Sequence, residues 1–259
     1  MSTLIRDYER FAKEANEICK GRVYTDHLRR YAYGVDASCY SYLPKVVVKA
    51  EDEREVRRLI RLCQQCGTPF TFRAAGSSLS GQCSSEDVLI VCNDGFKKME
   101  VIDDGKALKC ECGVIGSDAN DLLKPYNRKI GPDPATLATA LVGGILNNNS
   151  SGMCCGTAQN SYKTIRSIRV VLLDGSILDT SDQKSIDQFL KEKPQMVEDI
   201  LQLRKDILAD EELTHLIHHK YKIKNTTGYG LNSLVDFEDI IDIINHLFIG
   251  SEGTLGFVS

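Results

Sequence analysis

The stretch Phe72-Arg73-Ala74-Ala75-Gly76-Ser77-Ser78-Leu79-Ser80-Gly81-Gln82 constrains the fold more than any other. It is a run of small residues set between two apolar runs, Thr68-Pro69-Phe70-Thr71-Phe72 and Val88-Leu89-Ile90-Val91-Cys92. Both flanks read as short buried strands. The loop has little bulk and several hydroxyls, so its backbone N–H groups can approach an anion closely. The stretch reads as a phosphate-binding loop. The third strand begins within a few residues of Gln82 and leaves no room for a helix. Both well-known glycine-rich phosphate motifs open a helix, and neither pattern is present, so a P-loop nucleotidase and a Rossmann dehydrogenase are disfavoured.

The preceding segment supports a βαβ unit. Lys45-Val46-Val47-Val48-Lys49 has a β-branched centre, and Asp52 with Glu55 three residues on resembles a capping box. The helix it opens carries Val56, Leu59, Ile60 and Cys63 on one face and ends at Gly67. Strand, helix and strand within about thirty residues imply that the first two strands are parallel. Upstream, Leu4, Tyr8, Phe11, Ala15 and Ile18 mark an amphipathic helix over residues 3–20, with Thr3 as cap. Tyr31 to Leu43 has no helical period and reads as an extended arm.

From Asn93 the pattern changes. Met99–Ile102 and Ala107–Cys112 flank Asp103-Asp104-Gly105, and Arg169–Leu173 and Ile177–Asp179 flank Asp174-Gly175, two hairpin signals. A helix is predicted over Asp118–Tyr126 with Ser117 as cap, two or more helices over Ser181–Tyr221 broken near Pro194, and one over Phe237–Phe248. The expected class is α+β: a small βαβ lobe and a larger, mainly antiparallel sheet lobe with flanking helices. The expected division is an N-terminal helix and arm over 1–43, a first lobe over 44–95 and a second over 96–259. The sequence ends on Leu255 to Val258, a strand-like run, which predicts a fragment of a longer protein.

Composition narrows the class of partner. At 259 residues with 42% hydrophobic and 26% charged residues, the chain can bury a large core. The net charge of −4 gives no reason to expect a nucleic-acid partner. No run of about 18 apolar residues and no leader-like N-terminus is present, so the expected location is cytoplasmic. The 10 cysteines form no second Cys-x-x-Cys beside Cys63 and Cys66, so no metal or iron–sulfur set is completed, and the thiols read as reduced.

Two further small-residue stretches join the first: Gly131-Pro132-Asp133-Pro134 through Gly143-Gly144 to Asn147-Asn148-Asn149-Ser150-Ser151-Gly152, and Gly250 to Gly256. Three such stretches, two of them rich in hydroxyl and amide groups, can supply neutral donors to one long polyphosphate ligand. The metal-holding acid of a nucleoside triphosphate enzyme is not evident, and a dinucleotide fits better. Without a Rossmann fingerprint, flavin is favoured over nicotinamide.

These segments resemble the FAD-binding (PCMH-type) domain of the vanillyl-alcohol oxidase/p-cresol methylhydroxylase flavoprotein superfamily. Within it the chain is similar to the D-lactate dehydrogenase and glycolate oxidase branch, including long bacterial members in which an iron–sulfur module follows the flavin part. The resemblance covers nearly the whole chain. It implies FAD between two lobes, with Arg73, Ala74, Ala75, Gly76, Ser77, Ser78, Gly81 and Gln82 around the pyrophosphate. Pro132, Gly143, Gly144, Asn149, Ser150, Ser151 and Gly152, with Gly156 and Thr157 beyond them, would line the second side. Glu252 and Gly253 would line the third. Ala74 and Ala75 replace glycines of many relatives. No histidine occupies the positions that hold covalent flavin in some relatives, so non-covalent FAD is implied.

The implied chemistry is hydride transfer from a D-2-hydroxy acid, D-lactate- or glycolate-like, to flavin N5. The catalytic base and substrate clamps would lie in a later cap domain, so no catalytic residue is assigned and the chain alone is expected to be inactive. The electron acceptor would be a quinone or an electron-transfer protein, with membrane association through the full-length protein or a partner. Two alternatives stay open: oxidation of another alcohol or a sugar lactone, and a non-catalytic flavin-binding subunit. Cys63 and Cys66 read as packing residues. Cys154-Cys155 and Asn225-Thr226-Thr227-Gly228-Tyr229-Gly230 are candidates to approach the flavin ring, each against a plain structural role. His215, His218 and His219 read as a solvated helix face.

Overall fold

The computed structural model describes residues 6–226 and 228–259. Helix α1 (Tyr8–Ile18) buries Phe11 and Ala15 as its period requires. Asp7 caps it, accepting from the Arg10 N–H, whereas Thr3 and Leu4 lie outside the described residues. Strand β1 (Val23–Tyr24) follows. A helix that was not expected, α2 (His27–Ala32), capped by Asp26, then runs into the first two residues of the segment expected to be an extended arm. The rest of the arm is irregular, joined by one antiparallel bridge between Val35 and Ser41.

The βαβ unit is present as β2 (Val46–Lys49), α3 (Glu53–Cys66) and β3 (Phe70–Arg73). Asp52 accepts from the Glu55 N–H at 2.7 Å, and Gly67 closes the helix at φ +64°. The Glu55 carboxylate reaches back to the Glu51 N–H and takes both Arg22 guanidinium nitrogens, so the capping box is displaced by one residue. Strand β4 (Val88–Val91) inserts between β2 and β3 and runs parallel to both, giving the order β1-β2-β4-β3. All of β4 is buried, as expected of a central parallel strand. A parallel crossover usually employs a helix. Here the small-residue loop itself makes the crossover from β3 to β4, so it must pass over the strand ends.

The second lobe opens with the hairpin β5 (Met99–Ile102) and β6 (Ala107–Cys110), turned by Asp103, Asp104 and Gly105, all at positive φ. Helix α4 (Gly116–Leu123) starts at Gly116 with no side-chain cap, so Ser117 lies inside it, and a 3-10 turn over Lys124–Tyr126 ends it. Two helices escape the periodicity: α5 (Val142–Asn148) and α6 (Ser161–Thr164). Gly143 and Gly144, expected in a loop, are the second and third residues of α5; burial of Gly143, Ile145 and Leu146 outweighs their poor helix propensity.

The hairpin β7 (Arg169–Val171) and β8 (Ile177–Asp179) is followed by α7 (Gln183–Glu192), α8 (Pro194–Ala209) and α9 (Glu211–Lys220), with Pro194 in the first turn of α8. The helix expected over 237–248 is observed as α11 (Ile240–Leu247), capped by Asp239, and a short helix that was not expected, α10 (Ser233–Asp236), precedes it. Strand β9 (Phe257–Val258) pairs antiparallel with β7. The expected α+β class is therefore observed. The second lobe's strands are all antiparallel, but they form two small sheets, β5-β6 and β8-β7-β9.

One apolar core extends from Phe11 and α3 through β2 and β4 to Phe96, Cys112, Val171 and Phe257. Phe257 packs 5.0 Å from Phe72 and 5.3 Å from Phe96, ring centre to ring centre. That contact seats the glycine-rich segment before β9 beside the end of β3. Among the described residues, no helix is long and apolar enough to cross a membrane.

Candidate functional site

The loop after β3 is half-buried, and Gly76 and Gly81 take positive φ. Among the described residues, no backbone N–H from Ala75 to Leu79 finds an acceptor. Such a row of unpaired N–H groups in a low-bulk loop is an anion cradle. The arm supports it from behind. The Arg73 guanidinium donates to the Tyr33 and Val35 carbonyls at 2.9 and 2.8 Å, and the Ala37 N–H donates to the Gly76 carbonyl at 3.0 Å. Arg73 thus braces the loop and spends two of its nitrogens on the arm. The arm's periodicity carried no signal of this role, because backbone carbonyls are the partners.

At Gly81, φ is +77°, and a Cβ would lie 2.6 Å from the Tyr40 ring. Gly81→Val is therefore expected to displace Tyr40 and cost about 1–3 kcal/mol through overpacking and backbone strain. Chemical denaturation of the variant measures it; a wild-type midpoint would contradict this account of the arm.

The three small-residue stretches meet through side chains. Ser78 Oγ donates to Gln82 Oε1 at 2.6 Å, and Gln82 Nε2 donates to Glu252 Oε1 at 3.1 Å. From the second stretch, Ser150 Oγ donates to Asn148 Oδ1 at 2.7 Å, and Asn148 Nδ2 donates to the same Glu252 oxygen at 2.6 Å. The Glu252 N–H donates to the Asn147 carbonyl at 2.9 Å, and Ser251 Oγ donates to Asn147 Oδ1 at 3.2 Å. Glu252 holds φ +54°, an unusual conformation for a glutamate. Burial pushes its carboxyl above its ordinary value, and the Asn148 and Gln82 amides oppose that shift.

Backbone proximity agrees with this meeting. A Cβ on Gly144 would contact the Ala74 methyl at 3.4 Å, and one on Gly253 would contact Phe72 at 3.7 Å. Gly143 instead packs on Cys112, and its N–H donates to the Cys112 carbonyl at 2.9 Å. Pro132 is buried. Asp133 organises the turn after the second stretch: its carboxylate accepts from the N–H groups of Gly152, Cys154 and Cys155. Cys155's side chain, then those N–H groups, hold the Asp133 pKa down at about 2 against the opposing effect of burial. A depressed carboxylate stabilises the fold above its unfolded value and loses that contribution as pH falls through its folded value. The 152–155 turn is thus expected to loosen between about pH 4 and about pH 2. Amide exchange at Gly152 and Cys155 tests this; unchanged protection across that window, with the rest of the fold intact, would contradict it.

Ser151 is buried, and its Oγ has no hydrogen-bond partner among the described residues. Its carbonyl accepts from Lys224 Nζ at 2.6 Å. Lys224 thereby anchors the segment that follows, the one named as a candidate to approach the flavin ring; its Thr227 lies outside the described residues. Tyr229 OH shares a hydrogen bond with Thr254 Oγ1 at 2.7 Å, and a Cβ on Gly250 would sit 2.8 Å from the Gly228 carbonyl oxygen. Gly228 and Tyr229 therefore border the third stretch. Asn149, at φ +53°, accepts the Tyr162 N–H at 3.3 Å, and both Asn149 and Thr157 line a cavity toward α9. Gly156 takes φ +51° with open space around it.

Cys63 and Cys66 are buried on α3, and burial pushes the Cys63 thiol up to about 12, as suits a packing role. Cys154 is exposed and Cys155 buried. His215, His218 and His219 lie exposed on α9. Sequence reasoning missed Asn147 and Lys224 as organisers of the site; the asparagine run was the available signal for the first.

Comparison with known proteins gives a consistent result. A family described as FAD binding domain matches residues 44–181. D-2-hydroxyglutarate dehydrogenase of Haemophilus influenzae is 23% identical over 247 residues, covering 92% of this chain and 24% of that protein. Glycolate oxidase subunit GlcD of Bacillus subtilis is 24% identical over 236 residues, covering 89% of this chain and 39% of that protein. The chain thus spans well under half the length of these relatives. A solved structure of alkyldihydroxyacetonephosphate synthase superposes with a TM-score of 0.61 at 16% identity, over 97% of this chain and 38% of that one. One of p-cresol methylhydroxylase with substrate bound does so with a TM-score of 0.56 at 16% identity, over 66% and 35%. The α+β fold is the one these structures share.

Proposed function

The chain belongs to the FAD binding domain family, and we propose that it is the cofactor-holding part of an FAD-linked oxidoreductase that oxidises a D-2-hydroxy acid. The observation that carries this reading is the Glu252 network, which draws all three small-residue stretches together beside the unpaired N–H groups of Ala75 to Leu79. Those N–H groups suit a pyrophosphate. The buried, partnerless Ser151 Oγ is a further polar atom for a ligand to satisfy. Glu252 has no cation within salt-bridge distance among the described residues, so it suits a hydroxyl or N–H of the cofactor rather than its phosphates.

The chemistry that FAD supplies when bound is acceptance of a hydride from the carbon bearing the substrate hydroxyl. The chain's own residues bind and orient: the Arg73-braced loop fixes one end, and the turn around Asp133 sets the second wall. Gly228 and Tyr229 border the third. The names of the two relatives support a hydroxy-acid substrate. The groups that clamp the substrate and take its proton are assigned, within this proposal, to the remainder of a longer protein. An iron–sulfur module there, and a quinone or electron-transfer protein as acceptor, complete it.

Titration of purified chain with FAD tests the reading. Flavin absorbance should co-elute with the protein on gel filtration, and denaturation should release it, as non-covalent binding requires. Folded chain that retains no flavin would overturn the proposal. The loaded chain should bleach negligibly with D-lactate or D-2-hydroxyglutarate; rapid bleaching would place the substrate groups within residues 1–259.

A further inference from the structure

A cavity of about 370 Å³ opens between the end of α9 and the segment leading into α6. Its floor is polar and buried: Asn160, Tyr162 and Asn232 are each less than one tenth exposed (8%, 4% and 6%). Asp236, the one acid among the described lining residues, is already occupied. It accepts from the Tyr162 hydroxyl at 2.9 Å and from Asn232 Nδ2 at 3.0 Å, with the Lys163 ammonium 4.0 Å away. That bond fixes which way the Asn232 amide points. It leaves Asn232 Oδ1 buried with no partner among the described residues, an arrangement that costs stability unless a donor arrives. Lys222 and His218 line the same cavity, and both are exposed. With Asp236 occupied, the cavity keeps an unspent acceptor at its floor and surplus positive charge at its rim.

We propose that this cavity binds a small oxyanion that brings its own O–H donor, a hydroxycarboxylate or a monohydrogen phosphate. The O–H satisfies Asn232 Oδ1, and the negative charge meets Lys222, His218 and the outer side of Lys163. An anion without a donor leaves the floor unsatisfied, and a neutral alcohol leaves the rim unmatched. The described lining includes nothing from Arg73–Gln82 or Gly250–Gly253, but Asn149, Thr157 and Gly228 also stand beside the expected flavin walls, so titration with and without FAD separates the two sites.

Calorimetric titration of the purified chain tests the assignment with paired probes: D-2-hydroxyglutarate against glutarate, D-lactate against propionate, and inorganic phosphate against sulfate. The hydroxylated member of a pair should bind about 5-fold more tightly, the factor expected for one hydrogen bond to an otherwise unsatisfied group. Lys222→Gln should weaken both members of a binding pair, and Asn232→Ala should abolish the difference between them. Should Asn232→Ala fail to fold, the paired probes in the wild-type chain and in Lys222→Gln carry the test alone. Preference for phosphate over both hydroxy acids, or the reverse, identifies the source, and either supports the site. No saturable binding, equal binding within every pair, or indifference to Lys222→Gln overturns it. So does competitive loss of anion binding on loading with FAD, which would make the cavity part of the flavin seat. The FAD titration is a separate measurement, so failure of one proposal leaves the other readable.

Discussion

Gly152→Ala should disable the site while changing one methyl group. A Cβ at Gly152 would run into the Asp133 carbonyl oxygen and lie 2.6 Å from its carboxylate. The obstacle is backbone, so the turn must move rather than a rotamer. Moving it breaks the bonds from the Gly152, Cys154 and Cys155 N–H groups to Asp133, which together shape the wall carrying Ser151. Overpacking of this kind costs about 1–3 kcal/mol, and retained flavin should fall by at least about tenfold. Denaturant midpoints and FAD titration measure the two effects. Wild-type flavin affinity in Gly152→Ala would remove the 149–152 wall from the binding site.

Glu252→Ala is the second large effect. The substitution deletes the acceptor shared by Gln82 and Asn148, and two partly buried amides lose their partner. A loss of about 2 kcal/mol follows, because a stranded polar group costs its desolvation. Glu252→Gln keeps an acceptor and should cost less. Glu252→Gly should be milder than Glu252→Ala by about 1 kcal/mol, since φ +54° strains alanine and not glycine. The pH dependence separates charge from geometry. Burial holds the folded pKa of Glu252 above the ordinary 4.5. The folded chain therefore keeps this proton to higher pH than the unfolded chain, and stability falls as pH rises through that window. Glu252→Gln should abolish that slope, opposite in sign to the loss expected from Asp133 at lower pH. A slope that survives in Glu252→Gln would assign it to another group.

Much of the fold was legible because its signals are local. The period of Val56, Leu59, Ile60 and Cys63, the cap at Asp52 and the stop at Gly67 fall within one helix, and each is observed. Both hairpins were marked by turn residues at their tips. The helix α5 was hidden because glycines and asparagines carry low propensity, and packing of its Gly143 face decides the matter. Helix α2 was hidden among aromatics that, with no residue on that helix buried, follow no core-facing period.

What the sequence by itself determined is the inventory: three low-bulk stretches, a βαβ unit, two hairpins and the family to which they belong. Glycine placement and hydrophobic period are properties of neighbouring residues, so they can be read along the chain. The tertiary structure alone decided how the inventory is used. It inserts β4 between β2 and β3, which turns the first stretch into a helix-free crossover. It joins Gln82 to Glu252 across 170 residues and turns Arg73 toward the arm instead of toward the loop's open side. Such pairings depend on where packed elements such as Phe72 and Phe257 bring distant backbone together, and no local pattern encodes that distance.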